Sequence, residues 1–244
     1  MYFMDNIPNA GGATAGAASQ LGATAPGTDW LFAEGFTGTH FQEYLELANF
    51  GANTANSSIK LEYTNGSTQV FPVQVPAFGL AQFDVNAHPG ATTAVSAEVT
   101  SDNPIVADRL MFFHATSSNF SGGTDVIGAP AAANVCSFAE GFTGGAFQEY
   151  LTLQNPTSTD ETVAVTFFIN GLIFQQQMIV KAHSRNTMNV NSVINPIAQG
   201  AVSITAQAIS PANPSTALFV AERVMYFGFS TDQGGTDVIG YPNH

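Results

Sequence analysis

The feature that most limits what this chain can fold into is an internal duplication. Phe32-Ala33-Glu34-Gly35-Phe36-Thr37-Gly38, followed by Phe41-Gln42-Glu43-Tyr44-Leu45, returns 106 residues further on as Phe138-Ala139-Glu140-Gly141-Phe142-Thr143-Gly144 and Phe147-Gln148-Glu149-Tyr150-Leu151. A period the length of one small domain means two copies of a module in tandem. The chain of 244 residues divides accordingly into 1–29, 30–130 (copy one) and 131–244 (copy two). Residues 1–29 read as the end of a preceding repeat. Met1-Tyr2-Phe3 matches Met111-Phe112-Phe113 and Met225-Tyr226-Phe227, and Gly11-Gly12 stands where the later copies carry Gly122-Gly123 and Gly234-Gly235.

Both copies are predicted to be all strand. Alternating apolar and polar residues run through 41–49, and Asn65-Gly66 and Asn170-Gly171 each sit between two such runs, a strong short-range hairpin signal. Further strands are expected over 80–86, 95–100 and 105–113 in copy one, and over 187–191, 202–208 and 218–227 in copy two. Pro104 is placed in the turn between two of them, where a missing N–H does little harm. No stretch keeps a helical period. Many short strands punctuated by turns imply two tandem Ig-like antiparallel β-sandwich domains.

Only five residues are Lys or Arg against eighteen Asp plus Glu, a net charge of −13. Such a chain lacks the basic footprint that nucleic acid or anionic lipid requires, and it has no apolar run approaching the ~20 residues that cross a bilayer. Charged residues make up 9% against a usual ~25%, so Thr, Ser, Asn, Gln, Ala and Gly must supply most of the surface. This composition, together with a single cysteine, is read as an extracellular, prokaryotic one. Cys136 stands at the place Trp30 holds in copy one and is expected to be a small buried hydrophobe.

The scarce cations are placed informatively. Side chains of a strand alternate between its faces, so Phe41, Glu43, Leu45 and Leu47 share one face, and Ala107, Arg109, Met111 and Phe113 share another. Copy two repeats this with Glu149 and Arg223. A charge directed inward needs a partner, because desolvating a lone ion is very costly. Arg109 is therefore expected to pair with Glu43, Glu34 or both, and Arg223 with Glu149, Glu140 or both, with Asp125 and Asp237 closing the same networks or capping a turn. These eight residues form the predicted structural ion-pair network.

Calcium held by Glu34, Glu43 and Asp125 is a sharper alternative. The neighbouring arginine and the lack of an Asp-x-Asp run oppose it, so neither metal nor other cofactor is assigned. A glycosidase carboxylate pair is opposed by its recurrence in both copies as scaffold. None of the five histidines recurs at an equivalent place, and no Gly-x-Ser-x-Gly elbow is present, so no enzyme is expected. Tyr44 and Tyr150, on the outward faces, could stack on glycans or pack against a neighbouring sheet, and the second is preferred.

At these motifs the chain resembles tandem modules of large secreted or cell-surface proteins of bacteria. Their pattern is Phe-Ala-Glu-Gly, then Glu-Tyr-Leu, then Glu-Arg-x-Met-Tyr-Phe, then Gly-Gly-x-Asp-Val-(Val/Ile)-Gly. Here it is met by Phe32 to Gly35, Glu43 to Leu45, Asp108 to Phe113 and Gly122 to Gly128, and again by Phe138 to Gly141, Glu149 to Leu151, Glu222 to Phe227 and Gly234 to Gly240. Asp108 departs from the usual Glu. The resemblance implies a spacer or adhesive role outside the cell. The residues themselves suggest a stalk segment or the subunit of a filament, with neighbouring repeats or further copies of the chain as partners. In the filament, Met1, Tyr2 and Phe3 would serve as an assembly strand added to the next subunit. A carbohydrate-binding module of a larger secreted protein is the alternative.

Overall fold

The computed structural model describes residues 2–3, 17–18, 20–115, 120–209, 217–229 and 232–242, and these are nearly all β, in antiparallel sheets. Copy one carries β3 (Gly27–Phe32), β4 (Phe41–Asn49), β5 (Ala55–Tyr63), β6 (Thr68–Val75), β7 (Gly79–Asp84), β8 (Val95–Ala115) and β9 (Phe120–Ile127); ahead of them lie β1 (Tyr2–Phe3) and β2 (Ala17–Ala18). Copy two carries β10 (Val135–Phe138), β11 (Phe147–Asn155), β12 (Glu161–Ile169), β13 (Leu172–Val180), β14 (Ser184–Asn189), β15 (Val202–Ala208), β16 (Val220–Phe229), β17 (Asp232–Ile239) and β18 (Tyr241–Pro242).

In copy two, one sheet has the order β13-β12-β15-β10-β18 and the other β14-β11-β16-β17. Copy one lays out the same strands as β6-β5-β8-β3 and β7-β4-β8-β9, with β8 in both. Two strands were expected at 95–100 and 105–113, but β8 runs unbroken for 21 residues. In the first sheet it pairs with β5 through Ser101 and with β3 as far as Ile105, its register against β3 shifting between Gly27 and Asp29, and in the second it pairs with β4 from Val106. Pro104 thus lies at a crossover rather than in a turn, where β8 changes partners and no ladder bond needs its missing N–H. Copy two achieves the same change with the separate strands β15 and β16.

The two hairpins differ in detail. At Asn170-Gly171 both residues have positive φ, 51° and 78°, as a type I′ turn requires, whereas in the first hairpin only Gly66 does, at 80°. A five-residue helix, Val190–Ile194, follows β14 where the alternation continued to 191; Asn189 caps it by accepting from the Ser192 amide at 2.9 Å.

Each copy encloses its own apolar cluster. Phe32, Leu45, Leu47, Ile59, Leu61 and Ile105 centre that of copy one, and Leu151, Leu153, Val165, Phe167, Ile204 and Phe219 that of copy two. Trp30 packs in the first and donates from Nε1 to the Ile105 carbonyl at 3.0 Å. Cys136 takes the matching place in the second, where burial pushes its thiol up to about 11. Two smaller clusters join the copies, one around Leu31, Ala33, Ala129 and Val220, the other around Phe113, Val224 and Tyr226.

The expected assembly strand is paired within its own chain: Tyr2 lies opposite Ala18 and Phe3 opposite Ala17. Met1 and Gly11-Gly12 lie outside the described residues.

Candidate functional site

The outer face of the β14-β11-β16-β17 sheet is the site's floor. Alternation sends Leu151 and Leu153 into the core of copy two, so Thr152 and Gln154 point away from it, and across the ladder so do Glu222 and Val224. These outward residues are nevertheless buried, because copy one lies over them. The covering part is the end of copy one where the chain leaves β3, through Ala33, Glu34 and Gly35, beside Arg109 of β8.

Arg109 is completely buried and crosses between the copies. Its Nη2 lies 2.8 Å from Glu222 Oε2 and also bonds Asp237 Oδ2, while Nη1 donates to the backbone carbonyl of Glu34. The Ala33 amide donates to the other oxygen of Glu222 at 2.6 Å. The partners expected from within the repeat, the carboxylates of Glu43 and Glu34, are not the ones bonded. The guanidinium reaches past its own copy because Glu222 and Asp237 of the neighbouring sheet present their oxygens at the interface.

A second arginine closes the contact from the other side. Arg185 of β14 bonds the carbonyls of Gly35 and Val95, the latter at 2.7 Å, and its Nη2 lies 2.9 Å from Glu34 Oε2. Thr152 Oγ1 donates to the same Glu34 oxygen. Further along, Gln154 Nε2 donates to Glu62 Oε2 at 2.9 Å, with His183 Nδ1 3.6 Å from the other Glu62 oxygen. Arg185, Thr152, Gln154, Glu62 and Glu222 were not foreseen as members of this site. Period-two alternation puts Glu222, Thr152 and Gln154 outward, and outward polar residues ordinarily mean solvent.

Electrostatics follow from buried acids that outnumber the buried arginines. Burial opposes the charge on Arg109, but Glu222 and Asp237 outweigh it and hold the guanidinium protonated. Burial raises Glu222 and raises Asp237 well above the usual carboxylate range, against the pull of Arg109. Two carboxylates on one guanidinium leave an excess negative charge, and each raises the other's affinity for a proton. Glu43 and Glu149 are each pushed up to about 7, by burial first, with Arg109 and Arg223 respectively opposing.

Glu43 accepts from the Phe36 amide at 2.9 Å. It is packed so tightly that a Cβ on Gly35 would lie 2.6 Å from the Val95 carbonyl and 2.7 Å from Glu43 Oε1. The Gly in each Phe-Ala-Glu-Gly therefore makes room for the inward glutamate of the next strand. The Gly-Gly pairs serve the contact between copies. A Cβ on Gly122 would meet Gly234 Cα at 3.1 Å, and one on Gly235 would meet the Phe113 ring at 2.8 Å.

Arg223 stays within copy two. Its Nη2 lies 2.8 Å from Glu140 Oε2 and its Nη1 donates to Thr236 Oγ1 at 3.1 Å; Glu140 is two-thirds exposed. Asp125 joins neither arginine. Gln20 Nε2 donates to Asp125 Oδ1 at 2.6 Å and to Asp108 Oδ1 at 2.8 Å. Burial and the nearby Asp125 raise Asp108 to about 7. Glu34, Glu43 and Asp125 do not converge as ligands, and among the described residues no cluster of three such groups could hold a metal ion.

Tyr44 packs edge-on against Phe112 at 6.2 Å and Tyr150 against Tyr226 at 6.0 Å. Phe113 meets Tyr226 edge-on at 4.9 Å across the boundary between copies. Among the described residues no helix is long and apolar enough to cross a membrane.

No protein-family model matches the chain, and neither does any curated protein. Among solved structures, Thermotoga maritima 1070 aligns with 43% of this chain and 94% of its own, at 17% identity and a TM-score of 0.39. The Anabaena sensory rhodopsin transducer aligns with 35% of this chain and 97% of its own, at 23% identity and a TM-score of 0.31. A point mutant of the CFA/I adhesin CfaE of enterotoxigenic E. coli spans 98% of this chain and 99% of its own, at 7% identity and a TM-score of 0.20. At these scores none assigns a fold or a function.

Proposed function

We propose that the chain is a non-catalytic structural protein of a prokaryotic cell surface, built from two Ig-like β-sandwich repeats and acting as a segment of a stalk or the subunit of a head-to-tail filament. The observation that carries this reading is the fully buried Arg109, tied to Glu222 and Asp237 of the other repeat. A linker between independently moving domains has no use for an arginine desolvated between them, because such a contact is strongly destabilised when any one partner is withdrawn. The arrangement instead makes one stiff body of two repeats, as a spacer requires. The sandwich assignment rests on the paired sheets around one apolar cluster in each repeat. In the strand-donating form of a filament, Tyr2 and Phe3 would exchange their two-residue ladder with Ala17–Ala18 for the sheet edge of another subunit.

The glycan-binding alternative needs ring faces free for sugar. Tyr44 and Tyr150 pack against aromatic neighbours, which favours the structural role. Immunogold electron microscopy of the cells that make the protein, with antibody to the purified chain, tests the proposal. Label on surface appendages or the outer envelope is the expected result; label confined to the cell interior would overturn it.

A further inference from the structure

The contact between the copies is made by unlike surfaces. Copy one contributes an edge, with Ala33, Glu34 and Arg109, and copy two contributes a face, with Glu222, Asp237 and Thr152. Each copy, being the same module, possesses both. Among the described residues, the internal contact leaves the edge of copy two without a second copy against it, and the face of copy one meets only the short segment around Gln20. We propose that these two surfaces bind each other between molecules, so that the Arg223 edge of one chain docks on the Asp108–Asp125 face of a second copy of the chain. This rests on the reading of the protein as a self-associating structural subunit, and it names the surfaces.

The acids are the first support. Asp108 lies opposite Ile127 and Glu46, as Glu222 lies opposite Ile239 and Thr152, and Asp125 lies opposite Leu110 as Asp237 lies opposite Val224. The pair in copy two grips the guanidinium of Arg109. In the counterpart in copy one, Asp108 and Asp125 bond each other and share the amide of Gln20, with no guanidinium between them. A neutral amide is a poor match for two carboxylates drawn out of water, and a guanidinium is a good one. The β2 strand beside Gln20 is paired with β1 through only two residues, so displacing Gln20 breaks that short ladder and the bond its oxygen accepts from the Ile127 amide.

The second support is a coordinated exchange of side chains. Inside the chain Glu62 meets Gln154 and His183. By ladder position, Phe168 replaces Glu62, Ala48 replaces Gln154 and Phe78 replaces His183; Phe78 and His183 even share positive φ, 53° and 48°. Phe168 and Phe78 are 41% and 75% exposed. One exposed phenylalanine is ordinary. Polar residues that give way to apolar ones on both halves of the same contact are what a second, apolar version of that contact needs. Two exchanges oppose docking: Glu46 stands in place of Thr152 and would face Glu140, and Leu80 stands in place of Arg185, which grips Glu34 in the internal contact.

The third support is placement. Ala18 and Asp125 line the same cleft of about 410 Å³ as Glu140 and Arg223. The free edge and the free face therefore lie side by side, and a second chain related by a two-fold axis can engage both at once, closing a dimer of four repeats.

Light scattering and analytical ultracentrifugation of the whole chain test this across a wide concentration range. The wild type is expected to dimerise, with Phe168→Asp and Arg223→Gln each weakening association about tenfold or more, and with Gln20→Ala and Glu46→Thr strengthening it. Larger assemblies that respond to these substitutions in the same way also support the contact. A chain that stays monomeric even as Gln20→Ala, or a dimer indifferent to Phe168→Asp, would overturn it. Phe168 and Glu46 are not core residues, so circular dichroism should show both variants folded, and they carry the test if Arg223→Gln unfolds. A monomer whose antibody still labels the cell surface would defeat the docking geometry and leave the structural role standing.

Discussion

Arg109 and Arg223 occupy the same place in the repeat, yet their loss should have unequal consequences. Arg109→Gln removes a guanidinium with no solvent exposure and leaves Glu222 and Asp237 buried without their cation. Breaking a buried pair in this way costs about 3–5 kcal/mol. Arg223→Gln mainly releases Glu140, which is two-thirds exposed and can rehydrate, so about 1 kcal/mol is expected. Urea unfolding at neutral pH, with the midpoint and slope combined, separates these values easily. Lowering the pH should shrink the Arg109→Gln deficit, because the stranded acids can then take up protons. Adding Glu222→Gln should recover part of it. Equal losses for the two single variants, or a deficit at Arg109 that ignores pH, would show that the cation does not bridge the repeats as described.

Raised carboxyls make the folded state hold protons that the unfolded chain gives up. Glu43 and Glu149, moved from 4.5 to about 7, therefore contribute stability that is complete below the unfolded value and lost as pH rises through 7, up to about 3 kcal/mol each. Melting temperature should accordingly fall between about pH 5 and about pH 8, and Glu43→Gln should flatten the curve; a melting temperature that climbs over that span would contradict the assignment. Gly35→Ala drives a methyl toward the Val95 carbonyl and should cost about 1–3 kcal/mol in urea, whereas Gly22→Ala, with nothing within 4 Å, should leave the midpoint unmoved. Chelator should not change the melting temperature, and a drop on its addition would reinstate a calcium site. Glycan arrays should give no signal that depends on Tyr44 or Tyr150, and binding lost in Tyr44→Ala would favour the adhesion module.

Alternation within strands carried much of the fold. The residues of β4 and β13 coincide with the runs read from the chain, and the two Asn-Gly hairpins lie where expected. The same rule puts Arg109 on the inner side of its strand, where burial is complete. It cannot say which module supplies the partner, because Glu222 obeys the pattern of a solvent-facing residue and is buried only by another repeat. Comparison of the copies held a usable hint. Arg185 stands at the ladder position of Leu80, and one arginine of only three in the chain has no counterpart in copy one. Such a residue serves something the copies do not share, which here is their different neighbours. β8 was misjudged for a local reason: Pro104 signals a turn, and a strand passing between sheets tolerates proline as readily.

That long strand has a mechanical consequence. Because β8 belongs to both layers of copy one, tension applied along the chain cannot peel one layer from the other without tearing a single continuous backbone ribbon out of two ladders together. Copy two, whose layers are held by β15 and β16 separately, has no such fuse. Stretched by its ends, the molecule should yield first in its second half, while the first keeps its length.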